Sequence, residues 1–255
     1  MIFESHAHYD DSAFDEDREE ILGKCREQGI SSIVNVSASL KSVKTTLALA
    51  EAYDFIYGAV GIHPDEVGEL NEENFSWLKE MCRHPKAVAV GEIGLDYYWD
   101  KEGHETQKYW FSRQLELAGE LGLPVIIHSR EAALDTLEVV QSAHKPGYKA
   151  VVHCFSYGPE LAAEYLKLGY YIGVGGVVTF KNAKKLKEVV KLVPAERILL
   201  ETDCPYLAPE PFRGKRNSSL NLLRVAEAVG QLKEMETEEV VRITQENAKR
   251  FYLNK

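Results

Sequence analysis

The feature that most constrains this chain is an alternation. Short runs rich in β-branched and aromatic residues recur along it, and each is followed by a longer stretch with apolar residues at helical spacing. Eight such runs can be counted, at 2–6, 32–36, 55–62, 87–93, 124–128, 150–154, 170–174 and 197–202. Strands that alternate with helices build parallel sheets, and eight of them suggest closure. The length of 255 residues is close to the roughly 250 typical of a (β/α)8 barrel, so the predicted fold is an α/β TIM barrel. The intervening stretches read as helices: Leu115, Leu117, Ala118 and Leu121 give one an apolar face, and Gly29, Gly122 and Gly169 stand where helices stop. After the eighth run a loop rich in Pro and Arg leads to two more helical stretches, about 220–232 and 237–252, which predicts an extra C-terminal helix. Thr237 reads as an N-cap, with Glu238 and Glu239 in the first turn. No Pro/Gly/Ser-rich linker or composition break divides the chain, so residues 1–255 are expected to form one domain. A doubly wound open sheet would alternate in the same way, but it would favour a Gly-rich phosphate loop after an early strand, and none is present.

Composition narrows the function classes. Apolar residues make up 45% and charged ones 27%, which is globular, and no apolar run approaches the roughly 18 residues that cross a bilayer. The start lacks a basic region followed by an apolar stretch, so the expected location is cytoplasmic. Cys25, Cys82, Cys154 and Cys204 are scattered without Cys-x-x-Cys spacing, as suits reduced thiols. A net charge of −10 argues against broad adhesion to nucleic acid while leaving room for a local cationic pocket. Nothing calls for an oligomer, and a monomer is compatible with the sequence.

The polar residues that stand out sit where the runs end: His6 and His8, His63, Glu92, His128, His153 and Asp203. In a parallel barrel those ends share the active-site face, so six strands would aim a His or carboxylate into one mouth. A lone His after a buried strand is more often a satisfied core residue; joint convergence is what favours ligands here. His6 and His8 are two apart, which on an extended strand turns both side chains to one side. Imidazole and carboxylate together suit zinc, manganese or iron, and magnesium less well. Six protein ligands exceed what one tetrahedral ion needs, whereas a bridging carboxylate lets them serve two ions about 4 Å apart, with Glu92 as the bridge. His63 is not needed for coordination and is expected to contact substrate. Arg130, Arg213, Lys215 and Arg216 are available for phosphate. Tyr9, Tyr97, Tyr98, Trp99, Phe155 and Phe212 fall in loops of the same face, where rings could stack on unpaired bases. His84, His104 and His144 read as surface residues.

Six motifs follow in order: Ser5-His6-Ala7-His8, Gly61-Ile62-His63-Pro64, Gly91-Glu92-Ile93-Gly94-Leu95-Asp96-Tyr97-Tyr98, Val125-Ile126-Ile127-His128-Ser129-Arg130, His153-Cys154-Phe155-Ser156 and Glu201-Thr202-Asp203-Cys204-Pro205-Tyr206-Leu207. The series resembles the TatD family of metal-dependent deoxyribonucleases, among the amidohydrolase-like barrels, over nearly the whole chain. That resemblance implies two divalent cations per subunit, one held by His6, His8, Glu92 and Asp203 and the other by Glu92, His128 and His153. It also implies phosphodiester hydrolysis, with DNA as substrate and nucleotides as products. The pattern departs at Glu4, where Asp is usual, at Tyr9, where Leu is usual, and at Ser218-Ser219, where Glu-Pro commonly follows the Asn. Substrate contact is accordingly expected near Asn217. Two dications outweigh the charges of Glu92 and Asp203, so an acidic protein can hold a cationic pocket, with Asp203 expected to accept a proton. A barrel mouth admits a strand end more readily than continuous duplex, which predicts exonuclease-like trimming of single-stranded or frayed DNA. One alternative is hydrolysis of another ester or amide, such as an aminoacyl ester of a tRNA, since the same nucleophile can attack carbonyl carbon. Another is a non-enzymatic metal scaffold for a protein partner, disfavoured because no ligand or base is missing. Related barrels that cleave cyclic amides or phosphotriesters often bridge their metals with a modified lysine, where this chain has Glu92.

Overall fold

The computed structural model describes residues 1–253. Eight parallel strands stand in chain order in one sheet: β1 (Ile2–Ala7), β2 (Ile30–Val36), β3 (Ile56–Val60), β4 (Ala87–Asp96), β5 (Val125–Arg130), β6 (Ala150–Val152), β7 (Tyr171–Val174) and β8 (Ile198–Leu200). The helices α1 (Arg18–Glu27), α2 (Leu40–Ala52), α3 (Glu72–Met81), α4 (His104–Leu121), α5 (Ala133–Ala143), α6 (Pro159–Lys167), α7 (Lys184–Leu192) and α8 (Leu222–Lys233) each follow one strand. This is the TIM barrel expected from the alternation. No helix among the described residues is long and apolar enough to cross a membrane.

Strands covered on both sides read as continuous apolar runs rather than alternating ones. β4 is buried at every position. One apolar cluster takes at least one residue from every strand, including Phe3, Val34, Ile126, Val151 and Leu199, and fills the barrel; a larger one lies between strands and helices.

The barrel closes between β1 and β8 at the end where the strands finish. Ala7 bridges Cys204, the His8 amide donates to the Cys204 carbonyl at 2.8 Å, and the Asp203 amide donates to the His6 carbonyl at 3.0 Å. Below that point side chains take over from the ladder. Ser5 Oγ donates to the Leu200 carbonyl at 2.7 Å, and the buried Glu4 carboxylate accepts from the Thr202 amide at 2.9 Å and hydroxyl at 2.7 Å. Burial pushes the Glu4 carboxyl up to about 7 despite those donors. The segments that carry His6 and Asp203 are thereby fixed to each other.

The extra C-terminal helix is α9 (Thr237–Ala248), and it ends four residues before the sequence suggests. A π-helical turn over Lys249–Leu253 follows and seats Phe251 against Tyr171 and Tyr252 against Phe3. Tyr252 Oη donates to the Ser5 carbonyl at 2.9 Å, so this turn plugs the barrel end remote from the site. Thr237 is not the N-cap: Glu236 takes that position, and no side chain caps it. Gly29, Gly122 and Gly169 end their helices with φ of 86°, 65° and 78°, the left-handed region in which a Cβ is strained.

Candidate metal centre

β1 delivers His6, and His8 follows its last residue on the same side. His8 Nδ1 donates to the Val36 carbonyl at 2.8 Å, so Nε2 is the nitrogen that faces inward and the one a cation would take after displacing its proton. That atom is 3.1 Å from His6 Nε2 and 3.4 Å from Asp203 Oδ1. His6 Nε2 is 3.3 Å from Glu92 Oε2 and 3.7 Å from Asp203 Oδ1, and His8 Nε2 is 3.8 Å from Glu92 Oε2. Nitrogen and oxygen ligands at about 2.0–2.2 Å from a tetrahedral ion would be separated by about 3.3–3.6 Å, so these donors are spaced as a cation requires. His6 Nε2 and His8 Nε2 face each other at a range that one shared proton or a cation can bridge. The donor set fits a divalent metal.

The other oxygen of Glu92 faces a second group. Oε1 is 2.6 Å from His128 Nδ1, 3.3 Å from His153 Nε2 and 3.9 Å from His63 Nε2. β4 and β5 can approach this closely because Gly94, at φ 152°, has no side chain; a Cβ there would collide with the His128 carbonyl. The other nitrogens of these two imidazoles face acids: His128 Nε2 is 3.1 Å from Asp96 Oδ2, and His153 Nδ1 is 3.3 Å from Glu201 Oε1, near but not aligned as a hydrogen bond. Glu201 also accepts from the Cys154 amide. A carboxylate behind a ligating imidazole sets its tautomer and raises its basicity. Asp96 and Glu201 stand inside the sequence motifs without a role that spacing assigns to them. Each stands at a strand end near a proposed ligand, which was the available signal.

The charges are strongly coupled. Burial opposes ionisation of Glu92, but His153 and His128 outweigh it and hold the carboxyl well below its usual range. Asp203 is lowered too, its burial overcome by His8 and His153. Burial by itself depresses His8, His128 and His153, yet Asp203 beside His8 and Glu92 beside the other two push them up to about 9, 10 and 9. His6 moves down, through burial and the neighbouring His153. In the metal-free protein three imidazoles therefore hold protons at neutral pH, and a cation must displace them. Metal affinity is expected to rise with pH, by up to about tenfold per unit for each proton displaced, until pH passes about 9–10. Calorimetric Mn2+ titrations in buffers of different ionisation enthalpy measure both affinity and proton release; constant affinity with no release would contradict this account.

A cavity of 730 Å³ opens over the cluster, lined by His8, His63, Glu92, Asp96, His128, Arg130, His153 and Asp203, with Asp10, Asp65, Lys41 and Trp99 on its walls. The structure thus brings all six proposed ligands together with His63 and Arg130. Arg213 lies elsewhere, exposed, with its guanidinium 4.3 Å above the Phe180 ring, and Arg216 is taken up by Asp17. Asn217 does not match the expectation of substrate contact. It is fully buried, its Nδ2 donating to the Thr202 carbonyl and its Oδ1 accepting from the Ser218 amide and from Asn221 Nδ2, each at 2.9 Å. A buried loop must satisfy its own backbone, and this amide does so for the loop after β8. Tyr9 and Phe155 are also core residues, Tyr9 Oη donating to Ser219 Oγ at 2.9 Å, whereas Tyr98 and Trp99 are exposed. His104, expected at the surface, is stacked on Tyr97 with centroids 3.6 Å apart.

Residues 3–253 match the family described as TatD related DNase. An uncharacterized metal-dependent hydrolase of Bacillus subtilis, YabD, is 44% identical over 252 residues, covering 99% of each chain. The Escherichia coli K12 protein YcfH, with the same description, is 33% identical over 99% of this chain and 96% of its own. Among solved structures, the TatD homologue YjjV of Escherichia coli K12 superposes with a TM-score of 0.93 at 32% identity, over 98% of this chain and 97% of that one. Ordered motifs, barrel and cluster agree with these matches, and the chain belongs to the TatD-related DNase family.

Proposed function

We propose that this metal-dependent hydrolase cleaves phosphodiester bonds of DNA, trimming single-stranded or frayed ends with two divalent cations bound. The observation that carries the reading is the position of Glu92, whose two oxygens face different ligand groups. His6, His8, Glu92 and Asp203 would hold one cation, and Glu92, His128 and His153 the other. Bound there, the cations supply Lewis acidity toward a phosphoryl oxygen and a nucleophile at neutral pH.

The chain's own residues do the rest. Asp203 is placed at the rim of the cluster, part-exposed at 16%, and accepts the proton of the attacking water. Burial and the neighbouring His128 push His63 down to about 3, so it is neutral. Its Nδ1 accepts from the Asp65 amide at 3.2 Å, which places the proton on Nε2 toward the cavity, ready to donate to phosphate. Arg130, on the same wall, offers N–H groups to the next phosphate. The acidic chain then binds a polyanion because the cations outweigh the carboxylates around them.

The test is to strip the purified protein with a chelator, restore Mn2+, Mg2+ or Zn2+ separately, and follow 5′- and 3′-labelled single-stranded DNA. Progressive shortening is expected only after metal is restored, and the label that survives gives the direction. Intact DNA from fully metallated protein would overturn the nuclease reading and move the site to carboxyl-ester or amide substrates, an aminoacyl ester of tRNA among them.

A further inference from the structure

The loop between β4 and α4 carries a feature that metal chemistry does not use. Trp99 is 66% exposed and Tyr98 42% exposed, although each ring would lower its free energy by burial. Trp99 lines the cavity over the cluster. The two rings meet edge to face with centroids 4.8 Å apart, and the Arg130 guanidinium lies 4.0 Å above Tyr98 and 5.6 Å from Trp99. Among the described residues no carboxylate pairs with that guanidinium, so its N–H groups remain available.

The unit is anchored to the reaction centre through one side chain. Asp96 Oδ1 accepts from the Tyr98 amide at 2.8 Å and the Trp99 amide at 3.0 Å, while its Oδ2 faces His128 Nε2. Across the sheet Asp96 pairs with Arg130, and Gly94 pairs with His128. Arg130 is therefore two residues beyond His128 on one strand, on the same side and about 7 Å farther out at the usual rise per residue. An extended strand whose phosphate is held at the cluster places its neighbouring nucleotide over that distance. An indole face and an adjoining unpaired guanidinium match the two parts of a nucleotide, base and phosphate.

We infer that Trp99, supported by Tyr98 and Arg130, forms a stacking subsite for one unpaired nucleobase next to the scissile phosphate. The inference rests on the DNA reading of the site and adds to it where the base is held: an unpaired base can turn a face to the indole, whereas a base inside duplex has both faces covered by stacked neighbours and must be melted out first.

The test combines two removals, of the ring and of the base. Wild type, Trp99→Ala and Trp99→Phe are compared on a single-stranded oligonucleotide and on copies with one abasic residue at successive positions near the reacting end. In wild type one abasic position is expected to lower kcat/KM by about 5- to 150-fold, the range for loss of one stacked base. Trp99→Ala should lose a similar factor on the intact strand and nothing more at that abasic position, and Trp99→Phe should recover most of the rate. Circular dichroism and thermal melting report whether each variant is folded. An active wild type with a folded Trp99→Ala at full rate, or with the two losses multiplying, overturns the subsite and leaves the nuclease reading intact. A wild type that leaves every oligonucleotide whole defeats both.

Discussion

Replacing Glu92 by Gln is expected to give a folded barrel that cleaves DNA on the order of 10³-fold more slowly, or less, at saturating metal. The two side chains have nearly the same shape, and β4 packs around position 92 through apolar neighbours that do not change. What changes is charge. Glu92 is 3% exposed and turns one oxygen to each imidazole group, with Oε2 toward His6 and His8 and Oε1 toward His128 and His153. An amide cannot offer two anionic oxygens, so the bridge between the groups is lost and the remaining imidazoles repel one another once protonated. Metal content by elemental analysis should fall from two ions to one or none. Near-normal shortening of DNA by this variant would defeat the proposed two-metal site.

Asp203→Asn should lower kcat by about 10²- to 10⁴-fold, the range for removing a positioned general base. Asparagine is the informative replacement because Asp203 has φ 56°, a left-handed conformation that Asn adopts more readily than other side-chain-bearing residues. It therefore preserves the seam, where the Asp203 amide binds the His6 carbonyl, while removing the carboxylate. Asp203→Ala would mix lost chemistry with backbone strain. The measurement is the rate at saturating metal together with thermal melting. A folded, metal-replete Asp203→Asn within tenfold of wild type would remove Asp203 from proton transfer.

How much of this was legible beforehand depended on which residues had local rules to obey. The eight strands announced themselves because each is buried on both faces and bounded by helical periodicity. The ends blurred where side chains, not the ladder, complete the pairing: the third, sixth and eighth strands stop at Val60, Val152 and Leu200, short of the predicted limits, and β4 runs on to Asp96. Thr237 failed as a cap because residue type alone does not say which residue leaves helical geometry first.

By itself the sequence determined the barrel, the order of its strands and the convergence of His6, His8, Glu92, His128, His153 and Asp203, because strand ends in a parallel barrel share one face whatever their loops do. Tertiary structure alone decided the rest. Tyr9 and Asn217 looked like mouth residues, yet Tyr9 reaches Ser219, 210 positions away, and Asn217 holds the backbone of Thr202. Asp96 and Glu201 became partners of His128 and His153 only when neighbouring strands came into register. Loop side chains take their surroundings from segments remote in sequence, and neither periodicity nor spacing encodes those contacts; strand residues take theirs from a repeating geometry, which both do.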